Sequence, residues 1–180
     1  MSHRRRPGEQ PTDDAYGRVT DPGRFQRVVE AAERLVTEVV SAYDVEAQPV
    51  ALGRCLWAVR LAPEGGAPLV VGVSDPAAVW LQVGTVPTEA RLPDCGCDAC
   101  DEDPDELVEL LRQRVACVVD GALVERLRPD GLEVVWGPHG CSLVHVLDGH
   151  GYAAAVRAGV PAERRWSAWA MRAAPVGPAT

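Results

Sequence analysis

Three cysteines fall within six residues of this chain, at Cys95, Cys97 and Cys100, in the run Cys95, Gly96, Cys97, Asp98, Ala99, Cys100, Asp101, Glu102. The spacing is C-x-C-x-x-C. Cys97 and Cys100 are separated as in half of a zinc knuckle, which lets two thiolates converge on one ion. Extended backbone would send Cys95 and Cys97 to opposite faces. Gly96 between them can take a positive φ and turn both sulfurs inward. Structural zinc takes four protein ligands. Here Cys95, Cys97 and Cys100 supply three, and the fourth is open among Asp98, His139 and Cys141, with Asp94, Asp101, Glu102 and His145 as further donors.

The surroundings are acidic. Asp94, Asp98, Asp101, Glu102, Asp103, Asp105, Glu106 and Glu109 lie within sixteen residues, with Arg91 the near cation. Negative neighbours disfavour a thiolate, whereas a reactive cysteine wants an electropositive setting. Three uses follow for the cluster: a cation site, a corner of packed protonated thiols, or a thiol redox pair at Cys97 and Cys100. The acids favour the first two over the third.

Other chemistries fail on their spacing. Asp101, Asp103 and Asp105 have the D-x-D-x-D spacing of a calcium loop, but Glu106 stands where the loop needs glycine and Arg112 where it needs glutamate. His139 and Cys141 lack an orienting carboxylate at a known spacing. His145 and His150 read as surface or satisfied histidines. The chain has no phosphate loop, dinucleotide fingerprint, nucleophile elbow or metalloprotease helix. No catalytic residue is assigned, and the reading leans away from an enzyme.

The elements that must position the cluster follow from periodicity. Asp21 and Pro22 open a helix expected to run to Ala42, with Val28, Val29, Ala32, Val36 and Val39 on one face. Strands are expected over Leu56–Ala62, Leu69–Ser74, Val79–Gly84 and Val86–Leu92, joined by turns short enough for an antiparallel meander. The last leads into the cysteine cluster. A second helix follows over Pro104–Val118, capped by Asp103. Beyond it, Ala122–Arg128 and Leu132–Trp136 read as a hairpin, Cys141–Leu147 as a strand, Tyr152–Ala162 as helical and Trp166–Met171 as a last strand. Trp57, Trp80 and Trp136 belong on strands as core residues, and Trp166 and Trp169 are expected to be exposed. The sum is an α+β domain with a mainly antiparallel sheet of about five to seven short strands and two main helices on one face.

Composition bounds the rest. The 180 residues suit one domain, expected over 18–172 with disordered tails at 1–17 and 173–180. Nearly half, 47%, are hydrophobic, enough to bury a core. A net charge of −8 argues against a nucleic-acid surface. Every basic residue is arginine, and isoleucine and asparagine are missing, the mark of a GC-rich genome. No run of about 18 apolar residues suits a membrane span. Arg4, Arg5 and Arg6 are not followed by the apolar stretch of a secretory signal. The six cysteines are therefore expected to be reduced thiols of a cytoplasmic protein.

The stretches Tyr16–Phe25, Ala67–Leu69 and Leu92–Glu102 together resemble a family of uncharacterised actinobacterial proteins that carry a domain of unknown function, with the cysteine octapeptide as the most specific part. The resemblance implies one domain and a cytoplasmic location, and it carries over no catalytic residue. The sequence thus points to a non-enzymatic interaction or regulatory module with an unidentified protein partner and a structural zinc at the cysteines.

Overall fold

A computed structural model describes residues 10–85, 88–137, 142–146, 149–157 and 159–173. The fold is α+β and antiparallel throughout its two sheets. The first sheet is a meander in the order β1 (Val45–Pro49), β2 (Cys55–Pro63), β3 (Leu69–Ser74), β4 (Ala78–Val83) and β5 (Thr88–Leu92). Short turns between strands leave hairpin pairing as the only reachable geometry. The second sheet is ordered β8 (Ser142–Val146), β7 (Gly131–Trp136), β6 (Leu123–Arg128) and β9 (Glu163–Arg165). Among the described residues the strands therefore number nine, and they divide between two sheets.

Two long helices join the sheets. α1 (Gln26–Ala42) buries Val28, Val29, Ala32 and Val39, and α2 (Pro104–Val119) buries Leu107, Leu111, Val115 and Val118. Both stripes recur at three- and four-residue spacing, so each helix has one face to bury. They pack on each other, α1 also touching β3 and β4 and α2 touching β7. Leu61, Leu69, Leu81 and Leu92 from the first sheet and Leu123, Leu132 and Val134 from the second complete one continuous core. A short helix, α3, spans Gly149–Arg157. No described helix is long and apolar enough to cross a membrane.

Several expectations are corrected. α1 begins at Gln26, not Asp21. The Asp21 carboxylate accepts from the Gly23 amide at 3.1 Å and closes a turn ahead of the helix, a local bond that competes with helix for such residues. The helix after residue 149 ends at Arg157. Trp166–Met171 is no strand; the last strand is Glu163–Arg165, where Glu163 pairs with Arg126 in register. The segment after it threads between the sheets as a strap. Trp169 is buried, donating through Nε1 to the Ala67 carbonyl and meeting the Tyr43 ring edge-on at 6.0 Å. Trp166 is half-buried and donates to Glu125. The strap passes so close to Gly121, at φ 69°, that a Cβ there would meet the backbone of Ser167 and Ala168. Trp169 is thus a core residue, and Trp166 packs against the core with part of its ring exposed. β1 gives only a weak signal, because its Val45-Glu46-Ala47-Gln48 alternation is short, has one strong strand former and ends in Pro49; it is an edge strand, where proline is tolerated.

Candidate metal centre

The cysteine loop joins the end of β5 to the start of α2, so both its ends are fixed by core elements. Leu92 is buried before it, and Asp103 caps α2 after it by accepting from the Asp105 amide at 2.7 Å. Within the loop Gly96 has φ 79°, the left-handed turn that the C-x-C spacing calls for. Asp101 also has positive φ, 47°, the left-handed region that aspartate tolerates better than most side chains.

These turns bring all three sulfurs together. Cys95 Sγ lies 3.1 Å and Cys100 Sγ 3.5 Å from Cys97 Sγ, and the three atoms fall within 4.8 Å of one another. Tetrahedral sulfur ligands at about 2.3 Å from zinc stand roughly 3.8 Å apart, so small rotations suffice to enclose an ion. Cys97 is 2% exposed, whereas Cys95 and Cys100 reach the surface. The cluster thus has a closed side at Cys97 and an open side toward solvent.

The carboxylates around it are turned to other work. Glu102 folds back onto the loop and accepts from the backbone N–H groups of Asp94 at 3.1 Å, Cys95 at 3.3 Å and Gly96 at 3.4 Å. Asp98 accepts from the Thr20 amide at 3.0 Å, the Thr20 hydroxyl at 3.1 Å and Arg18 Nε at 3.0 Å. The Thr20 amide and then the Arg18 guanidinium hold the Asp98 carboxyl below its ordinary range. Neither acid joins the sulfurs in the group that converges. His139 and Cys141 lie outside the described residues. Gly137, just before them, sits against Cys117 near the C-terminal end of α2, the end away from the cysteine loop.

The expectation that the acids would discourage a thiolate meets a different balance. The Cys97 thiol is lowered to about 6, first by the neighbouring Cys95 thiol and then by the Gly17 backbone N–H. Cys100 is pushed up to about 12 by the sulfurs of Cys95 and Cys97 and by burial. Hydrogen bonds from neighbouring groups to a Cys97 thiolate account for both directions, since they favour its charge and oppose a second one at Cys100. Sequence reasoning missed Gly17 and Ala15, which come from a stretch read as loose. Ala15 packs on Cys97 and Ala99 in a small apolar cluster of its own. No signal in composition marks them, because the stretch is polar and short.

Elsewhere the described residues offer no rival. Cys55 and Cys117 are separate thiols whose burial raises them. A shallow crevice between α1, α2, β2 and β3, too tight to hold a water molecule, is lined by Ala32, Leu35, Leu61, Leu69 and Leu111 among other apolar residues. It has no polar group to orient a substrate.

No curated protein and no solved structure matches the chain. A family model described as Family of unknown function (DUF6226) matches residues 2–173, a span that holds both sheets, both long helices and the cysteine loop. The chain belongs to this family.

Proposed function

We propose that the protein is a non-enzymatic interaction or regulatory module of the cytoplasm, built around a structural zinc on Cys95, Cys97 and Cys100. The observation that carries this reading is the convergence of three sulfurs within 4.8 Å on one loop held in place at both ends. Thiolate donors select zinc and other soft ions. Burial of Cys97 and the hydrogen bond from Gly17 to its sulfur suit a ligand that must stay deprotonated and oriented. Asp98 and Glu102 are engaged by other donors, and the fourth ligand stays open, on this chain or from a partner on the open side. Metal analysis of tag-free protein prepared under reducing conditions tests this. One equivalent of zinc, lost with chelator and regained on titration, is expected. Less than about a tenth of an equivalent, with no uptake by the reduced protein, overturns it.

A thiol redox role is the second reading, favoured by the lowered Cys97 thiol 3.5 Å from Cys100. It predicts fast alkylation of one cysteine near neutral pH in metal-free protein. Slow and uniform alkylation of all six removes it.

A further inference from the structure

Residues 15–20, ahead of α1, bond to the cysteine loop. The Asp98 amide donates to the Arg18 carbonyl at 2.8 Å, and the Ala99 amide donates to the Ala15 carbonyl at 3.2 Å. Thr20 and Arg18 grip the Asp98 carboxylate, and the Gly17 N–H donates to the Cys97 sulfur. Ala15 is buried only with Cys97 and Ala99, in a cluster separate from the main core. Tyr16 and Val19 are largely exposed and belong to neither core cluster. Every one of these ties ends on residues 97–99, the centre of the loop that carries the three sulfurs.

The loop shape that these ties need is braced by Glu102 and by its two ends, and its centre carries the sulfurs that an ion would join. That centre turns at Gly96 and Asp101, both at positive φ, and gathers the three sulfurs within 4.8 Å. Without an ion the three sulfurs touch through S–S contacts of 3.1 and 3.5 Å only, whereas an ion bonded to all three would cross-link the loop. An ion that binds this shape and not the opened one favours it by the factor 1 + [M]/Kd, about 100-fold when zinc is at 100 times its Kd.

We propose that residues 12–20 form a metal-gated strap: an ion on Cys95, Cys97 and Cys100 fixes the loop and docks the strap on residues 97–99, and loss of the ion releases it. The proposal rests on the metal reading above and adds what that metal controls. Zinc occupancy becomes a switch in the exposure of the chain ahead of α1, which is a form of regulation that needs no catalysis. Because the coupling is reciprocal, anything that holds the strap also tightens zinc by the same factor.

The test uses the full chain, reduced, with zinc alone as the probe. Hydrogen exchange is followed by mass spectrometry over residues 12–20 and 97–99, beside zinc titration against a chromophoric chelator. Zinc is expected to slow exchange in both stretches at least tenfold while β3 and β4 are unchanged. Stoichiometric zinc binding with no change over 12–20 overturns the strap and leaves the metal site standing. Failure to bind zinc overturns both. Asp98→Ala keeps all three sulfurs and cuts the ties from Thr20 and Arg18. It is expected to raise exchange over 12–20 in the zinc-bound protein and to weaken zinc by a similar factor. Native exchange in β3 and β4 shows that the variant is folded. Unchanged zinc affinity alongside a freed strap overturns the coupling.

Discussion

The Glu102 carboxylate reaches back over the cysteine loop to the amide of Cys95, with Oε2 3.3 Å from the nitrogen. The same oxygen takes the Gly96 amide, and its partner takes that of Asp94. Three successive N–H groups converging on one acid make a concave nest that suits an anion. Glu102 therefore acts as a scaffold for the turn, not as a repulsive neighbour of the sulfurs.

Glu102→Gln is expected to loosen that scaffold. The amide keeps one acceptor oxygen but turns an NH2 toward a backbone donor. Zinc affinity should fall about 10- to 100-fold, the usual cost of losing a group that orients ligands. Competition with a chelator measures it. An affinity within experimental scatter of the native value would separate Glu102 from the site.

Gly96→Ala attacks the same turn through its backbone. At φ 79° a side chain costs about 1–2 kcal/mol, and the new Cβ would stand 3.3 Å from Pro93 Cγ. Relief of that strain swings Cys95 away from Cys97. We expect lower stability in denaturant by about 1–2 kcal/mol and a larger, at least tenfold, loss of zinc affinity. Equal losses in metal-free stability with no change in zinc binding would show that the turn is not what gathers the sulfurs.

Much of this was readable in the sequence, for local reasons. The two helices and the meander announce themselves through apolar periodicity, and Asp103 with Pro104 marks the start of α2. Cys95, Gly96, Cys97 and Cys100 show their convergence through spacing alone. What could not be read is long-range. Gly17 and Thr20 meet the loop across some eighty residues, and Glu125 and Trp166 meet across forty-one. No local pattern encodes such contacts. Trp169 misled for the same reason: its short flanks look like surface, and only the fold brings Ala67 and Tyr43 around it.

Glu125 is the acid whose burial needs the most support. It is 3% exposed on β6, and its oxygens accept from the Thr85 amide at 2.9 Å, the Thr85 hydroxyl at 3.2 Å and Trp166 Nε1 at 2.9 Å. These bonds tie the end of β4 to the second sheet. Glu125→Gln places an NH2 against one of those donors and should lower stability by about 1–3 kcal/mol. Zinc affinity should not move, since the residue is remote from the loop. Chemical denaturation beside zinc titration separates the two.

Glu163 gives the fold an acid limit that can be assigned. Its carboxyl is held below the ordinary glutamate range, first by the Arg126 hydrogen bond at 3.0 Å and next, against burial, by Arg165. A depressed folded value means the stabilisation is fully present above the unfolded value, about 4.3, and is lost as pH falls through the folded one. Glu163→Gln should therefore be slightly less stable than native protein near pH 7 and should converge with it in acid. Denaturation midpoints across pH 3–7 would show the two curves meeting (about the range where carboxylates titrate). Parallel curves would refute the assignment.

Trp169→Ala tests whether the C-terminal strap closes the core. The ring fills the space between Gly66, Ala67 and Tyr43, its Nε1–H is satisfied by the Ala67 carbonyl, and its own amide donates to Val119 at 2.8 Å. Removing a buried tryptophan leaves a cavity and one unpaired carbonyl, together about 3–5 kcal/mol. Trp169→Phe keeps most of the volume and loses the hydrogen bond, so it should cost less, on the order of 1–2 kcal/mol. Thermal unfolding of the two variants gives that ranking directly. A loss under about 1 kcal/mol for Trp169→Ala would mean that the strap is not part of the cooperative unit, since burial of this size is otherwise unavoidable in the unfolding energy.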